Sequence, residues 1–320
     1  MWNHRAMERA IGDGSGLAEL RRAVAAIEGR PTVWSDPGTG ERGTRAAMRT
    51  TTERHDAVPG GVAAAAPALA PLVDFGLPGL DRRLGPLGGL APGSLHEIVC
   101  DESRGAGALV GFLAALLARL AERRPGRILW IATGSARRET GGLHPPGLAA
   151  FGLDPNRLVE AVVGTPEDAL WAAEEALTCR GTAAVVIEIP GNPRVLDLTA
   201  TRRLALRAAA AGSLGLLARV AGAGGTTAAV TRWRVGGRAS RPFADFPEGL
   251  GRPAFRLTLE KNRDGRLGDF EIEWDPHDRR FALLPAHSGA AAPSPADRPA
   301  AADGARILPF DRPGTGRRIG

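Results

Sequence analysis

The sequence predicts an α/β fold: a mostly parallel twisted sheet with helices on both faces and antiparallel edge strands, flanked by disordered segments. Three observations carry this. Strand and helix patterns alternate from Leu72 to about Pro285. Two strands, "RILWIAT" and "AAVVIEI", are apolar throughout, as expected where helices cover both faces of a parallel sheet. Three late segments, "AFRLTLEKN", "FEIEWD" and "RFALLP", alternate like antiparallel strands at a sheet edge.

Taken in order, "SLHEIVC" is a strand, and the apolar spacing from Ala108 to Arg123 predicts a helix that stops at "RPG". "RILWIAT" and "RLVEAVVG" are strands. "TPEDALWAAEEALTC" is a helix with clear start chemistry. Thr165 can cap it, Pro166 suits the first helical position, and Glu167 and Asp168 complement the helix dipole. Leu170, Ala173 and Leu177 mark its buried face. "AAVVIEI" is a strand and "TATRRLALRAAAAG" a helix. "LGLLARV" reads as a helix end or a strand, and "TTAAVTRWRV" as a strand. No internal repeat is present.

The flanks have a different character. Leu17, Leu20, Val24 and Ile27 recur at helical spacing, so residues 1–30 are expected to hold a short amphipathic helix with a basic outer face. Residues 31–71, rich in Gly, Pro, Thr, Ala and Arg, read as a flexible linker. Residues 72–285 form the expected core. Residues 286–320 read as a disordered tail with one apolar island: Ile307, Leu308, Pro309 and Phe310. Such an island is either neutral or a short partner-binding peptide.

The net charge of +6 leans towards a polyanionic partner, since clustered cations release counterions from nucleic acid. A GC-rich genome gives the same arginine-heavy mix without selection for binding. Cys100 and Cys179 are not spaced as a metal pair and fall in segments that read as buried, so a disulfide framework is not expected and a reducing cytoplasm is. The N-terminus lacks a signal layout. No apolar run reaches the roughly 18 residues of a membrane span, the longest being broken by Arg119. His96, His144, His277 and His287 are scattered without ligand spacing, and no G-x-S-x-G elbow is present. Glu271 and Glu273 share one face of a strand and read as its polar side.

The stretch "CDESRGAG" sits between strand and helix, where a phosphate-binding loop would lie. Such a loop needs glycines to converge its N–H groups, a lysine for the terminal phosphates and a hydroxyl for Mg²⁺. Cys100 stands at the first glycine position, Ala106 at the lysine position and Gly107 at the hydroxyl position, with Ser103 and Gly105 between. Lys261 is the only lysine in the chain and lies on a late strand. Arg104 is not an equivalent substitute, and Asp101 and Glu102 would repel a triphosphate. Glu188 ends a strand where nucleotide hydrolases commonly place a magnesium-binding Asp, and its extra methylene displaces the charge. These are vestigial positions, and no cofactor or metal is expected.

The order of these segments resembles the RecA recombinase core over about Leu72 to Trp274. "FGLPGLDRRLGPLGGLAPGSLHEIVCDES" resembles that family's lead-in, where a short helix and a Gly-Gly-Leu turn precede the first core strand. "RILWIATG" resembles the strand that presents the water-activating Glu, with Gly134 at that place. "GTPEDALWAAEEALTCRGTAAVVIE" resembles the helix-strand unit ending in the magnesium acid, and "LTLEKNRDGR" the late strand with its Lys-Asn pair. Within this group the sequence is most similar to the ImuA family, through the "FGLPGLD…L…G…HEI" opening and the "GNP" at Gly191 to Pro193. That resemblance implies a degenerate RecA-like accessory protein of SOS-induced translesion synthesis. Its partners would be ImuB, an inactive Y-family polymerase relative, and an error-prone C-family polymerase. RecA or DNA would be further partners on fold analogy, and no membrane is expected. The segment after Glu188 is shorter than a recombinase's DNA-binding loop. The arginine-rich loop "TRWRVGGRASRPFADFPEGLGRP" is present. Arg232, Arg234, Arg238 and Arg241 with Trp233 form either a cationic strip with a stacking ring or a solvated face.

Three functions follow. The first is a non-catalytic tether of polymerases. The second is a weak nucleotide-binding ATPase using Arg104 and Glu188. The third is a division inhibitor of the SulA type, which resembles a shorter form of this core.

Overall fold

A computed structural model describes residues 72–284, apart from Arg180, Ala223 and Asp264. The expected N-terminal helix, the linker and the tail with Ile307, Leu308, Pro309 and Phe310 lie outside the described residues.

The chain enters through a short helix, α1 (Pro78–Asp81), and a 3-10 turn (Arg82–Leu84). Asp81 holds this lead-in by accepting from the N–H groups of Phe75 and Leu77, both at 2.8 Å. Gly89 follows with φ 141°, and a Cβ there would meet Val73 O at 2.9 Å, so the Gly-Gly-Leu turn has no room for a side chain.

The core then runs β1 (Ser94–Cys100), α2 (Ala106–Arg123), β2 (Arg127–Thr133), α3 (Gly134–Thr140), α4 (Pro145–Ala150), β3 (Leu158–Val163), α5 (Pro166–Thr178), β4 (Thr182–Pro190), α6 (Leu198–Ala211) and β5 (Leu214–Val220). Four strands close it: β6 (Thr231–Arg238), β7 (Ala254–Asn262), β8 (Gly268–Asp275) and β9 (Arg280–Leu283). The described strands form one sheet in the order β3-β2-β4-β5-β1-β6-β7-β8-β9. Pairing is parallel from β3 through β6 and antiparallel from β6 to β9. This architecture is the expected α/β class and is consistent with a RecA-like fold.

Side-chain alternation sends each central strand to two cores. Ile128, Trp130 and Ala132 of β2 pack with Leu109, Phe112, Leu113 and Leu116 of α2 on one face. Leu129 and Ile131 pack with Leu170, Ala173 and Leu177 of α5 and Leu204 of α6 on the other. Each fully buried Leu or Phe contributes about 1.5–3 kcal/mol, so the long apolar helix α2 is held chiefly by burial. The segment Ser103–Arg123 is long and apolar enough, by length and composition, to cross a membrane, but 67% of that window is buried in the fold. Arg119 within it is anchored to the lead-in, its Nε donating to Asp74 O at 2.9 Å. α2 ends at Arg124, whose extended backbone (φ −127°, ψ 115°) is what a residue before proline adopts.

Four elements refine the sequence reading. "LGLLARV" is a strand, buried along its whole length between β4 and β1. Two short helices, α3 and α4, occupy a stretch with no predicted element. Both start with recognisable chemistry: Thr133 accepts from Ala136 N, and His144 accepts from Gly147 N ahead of Pro145. α5 has the predicted Thr165 cap, completed by Asp168 as a capping box.

Candidate functional site

The site expected from the sequence is the turn from β1 into α2. Cys100 ends β1 and is 1% exposed. Residues Ser103–Gly105 make one 3-10 turn, and α2 begins at Ala106. A Cβ at Gly105 would stand 3.2 Å from Cys100 Cβ and 3.6 Å from its sulfur. The cysteine side chain therefore fills the inside of the turn, where a phosphate loop keeps open space. Its sulfur lies 3.5 Å from Glu102 O, to which the thiol donates. Burial pushes the thiol's pKa up, so it stays neutral.

The other side chains of the turn have internal partners. Arg104 and Glu102 pair with each other in solvent. Asp101 pairs with Arg234 of β6. The Ser103 hydroxyl donates to Glu139 of α3. Ala106 is buried in the first helical turn and Gly107 faces open space.

Glu188 lies on β4 and is fully buried. Its Oε2 accepts from Trp130 Nε1 at 2.8 Å and from Arg137 Nη1 at 2.9 Å, and Oε1 accepts from the Thr140 hydroxyl at 3.3 Å. Arg137 Nε also donates to Glu160 Oε1 of β3 at 2.6 Å. One guanidinium thus serves two carboxylates. Burial pushes the Glu160 carboxyl up, opposed by Arg137. A cation at Glu188 would have to displace Arg137 and the indole donor. Among the described residues no cluster of three or more His, Cys, Asp or Glu side chains is placed to hold a metal ion. Trp130 and Arg137 were not singled out in the sequence. The two donors come from separate segments, and only the parallel pairing of β2 with β4 brings Trp130 to Glu188.

Lys261 lies on β7, and its ammonium donates to Thr227 O after β5. Burial first, then Arg263 and Arg232, push its pKa down.

The arginine-rich segment is corrected by the structure. Thr231–Arg238 is strand β6, so the loop begins only after Arg238. Trp233 is 1% exposed, packed in the core with its ring tilted 39° to that of Phe75 at 5.3 Å between centroids, and offers no free face to a base. Arg232 points inward and donates to Glu97 Oε2 at 2.9 Å, while Arg219 holds Glu97 Oε1 at 2.8 Å. Arg234 pairs with Asp101 and Glu260, and Arg238 with Glu271. Of the five residues only Arg241 is exposed in the loop. A cationic strip with a stacking ring is not assembled. The alternation Arg232, Trp233, Arg234, Val235 carried the signal of a strand with two faces. His96 is likewise a core residue, its Nδ1 2.8 Å from the Thr231 hydroxyl.

No protein-family profile matches the chain. It is similar to Protein ImuA from two strains of Caulobacter vibrioides, NA1000 / CB15N and ATCC 19089 / CIP 103742 / CB 15. Each is 33% identical over 216 residues, spanning 63% of this chain and 83% of the relative.

Proposed function

The chain belongs to the ImuA family, and from that premise we propose that it is a non-catalytic accessory protein of SOS-induced, error-prone translesion DNA synthesis. In this reading the core is a scaffold, and flanking segments tether an ImuB-like inactive Y-family polymerase relative and an error-prone C-family polymerase. Holding two partners on one chain raises their effective concentration without catalysis.

The observation that carries the reading is the fate of the vestigial site. The sheet and its strand-turn-helix persist, while Cys100 fills the turn and Glu188 is locked to Arg137 and Trp130. Phosphoryl transfer depends on positioned charge, and here the charges are spent on one another. Similarity to ImuA along 83% of the relative favours this over a SulA-type division inhibitor, which would match a shorter core. The weak-ATPase reading would need Arg104 and Glu188 free to meet a nucleotide, and both are paired.

The tethering arm is the tail. Deleting residues 307–320 removes Ile307, Leu308, Pro309 and Phe310 and is expected to weaken binding to an ImuB-like partner in a pull-down titration. Unchanged affinity ends the tail assignment.

A further inference from the structure

The β7–β8 turn, residues 263–267, collects cations that no carboxylate holds. Arginines elsewhere on the late strands are paired: Arg234 with Asp101 and Glu260, Arg238 with Glu271, and Arg252 with Asp275. Arg83, Lys261, Arg263 and Arg266 form no ion pair among the described residues.

Packing brings these four together. Arg83 Nη1 donates to Leu267 O at 2.7 Å, and Asn262 Nδ2 donates to Arg83 O at 2.6 Å. A Cβ at Gly265 would collide with Arg83 O, so the lead-in is pressed against the turn. Arg266 lies between Gly265 and Leu267 and is exposed. From the same strand end, Arg263 Nη2 donates to Ala228 O at 3.2 Å and the Lys261 ammonium to Thr227 O. Carbonyl bonds of this kind orient a cation without neutralising it. Lys261 stands opposite Arg232 in the β6–β7 register, and Arg232 shares the single carboxylate of Glu97 with Arg219.

Six cations therefore meet three acids: Glu97, Asp264 of the turn itself, and Asp269, which accepts from the Thr258 hydroxyl. Of the other neighbouring acids, Glu260 is turned to Arg234, and Asp81 is buried on the N–H groups of Phe75 and Leu77. The excess is felt within the cluster. After burial, Arg263 and Arg232 are what push the Lys261 pKa down. A polyanion laid across the turn relieves that repulsion and releases its own counterions.

Guanidinium forks fit phosphate oxygens. The turn's sequence holds no aromatic residue to receive an unstacked base. Phe270 beside it is half-buried, with Arg83 5.7 Å from its ring centroid. The exposed Phe243 and Phe246 belong to the loop at the far end of β7, roughly 30 Å away at about 3.4 Å per residue. Single-strand sites combine cations with stacking rings, whereas cations alone suit a duplex backbone. We propose that the β7–β8 turn with Arg83 contacts the phosphate backbone of double-stranded DNA without reading its sequence. Arg263 and Arg266 meet the phosphates, and Arg83 and Lys261 supply the field behind them. This contact is separate from the tethering of partner proteins.

Fluorescence anisotropy of a labelled DNA duplex of about 20 base pairs, titrated with the full chain at about 50 to 200 mM salt, tests this. Arg263→Ala/Arg266→Ala is expected to weaken binding at least about tenfold at the lower salt. It is also expected to reduce the slope of log Kd against log salt by about two, one for each phosphate contact. Arg138→Ala/Arg241→Ala removes the same net charge from exposed positions elsewhere and is expected to change Kd less than about twofold. Absence of saturable binding at the lower salt, or equal losses in the two double variants, would overturn the proposal. So would tighter binding of the corresponding single strand, or displacement of the duplex by polyglutamate as readily as by unlabelled duplex.

Discussion

Arg137 Nη1 donates to Glu188 Oε2 at 2.9 Å, and both side chains are withdrawn from solvent. With Glu160 on the same guanidinium, Glu188 is part of an internal ion network that ties α3 to β3 and β4. A carboxylate held this way contributes to the fold, and a hydrated cation would have to break that network to bind it.

Removing the cation should therefore cost stability. Arg137→Ala leaves the buried Glu188 and the half-buried Glu160 carboxylates without their shared cation and is expected to destabilise by about 3–5 kcal/mol, the range for breaking a buried pair. Arg137→Ala combined with Glu160→Gln should recover part of that loss, because one of the two repelling charges is gone. Urea denaturation of the three proteins checks the order.

The turn from β1 makes a steric prediction. Gly105 is close enough to Cys100 that a Cβ must push the cysteine by a few tenths of an ångström. Gly105→Val adds branching where the space is already taken, and overpacking of this kind costs about 1–3 kcal/mol. In the Cys100→Gly background the same substitution should cost less, since the obstructing side chain is absent. Thermal melts of the four proteins in this cycle measure the coupling.

His96 gives the acid limb of stability. Burial pushes its imidazole down to about 4, against an ordinary 6.5. Between those values the unfolded chain binds the proton and the folded chain does not, so stability falls as pH falls through this window. From pH 7 to pH 5 the wild type should lose about 2 kcal/mol on this account. His96→Gln, which keeps hydrogen-bonding capacity towards Thr231, should lack that part of the slope. Urea midpoints at the two pH values test it, and parallel losses in both proteins would contradict it.

The sequence made the scaffold readable where one pattern dominates. "RILWIAT" and "AAVVIEI" are apolar on both faces because helices cover both faces, and each is a central parallel strand. α5 was readable from its cap. The reading failed where a side chain's role depends on its neighbours across the sheet. Trp233 and Arg232 look like nucleic-acid residues in a list of arginines, but β6 turns the indole into the core and the guanidinium onto Glu97 of β1. Nothing local to Glu188 announces Trp130 or Arg137. Strand order places them there, and strand order is a non-local property. Six- and seven-residue helices such as α4 and α3 leave too few periodic positions to register, although their N-caps are visible.

We propose that this α/β core persists without nucleotide chemistry. Calorimetric titration of the full chain with Mg·ATP at millimolar concentration, read beside thermal unfolding in the same ligand, tests it most directly. No saturable heat and no upward shift in Tm are expected, because a ligand that binds only the folded state must stabilise it. A saturable heat with a matching rise in Tm, lost in Glu188→Gln, would contradict it.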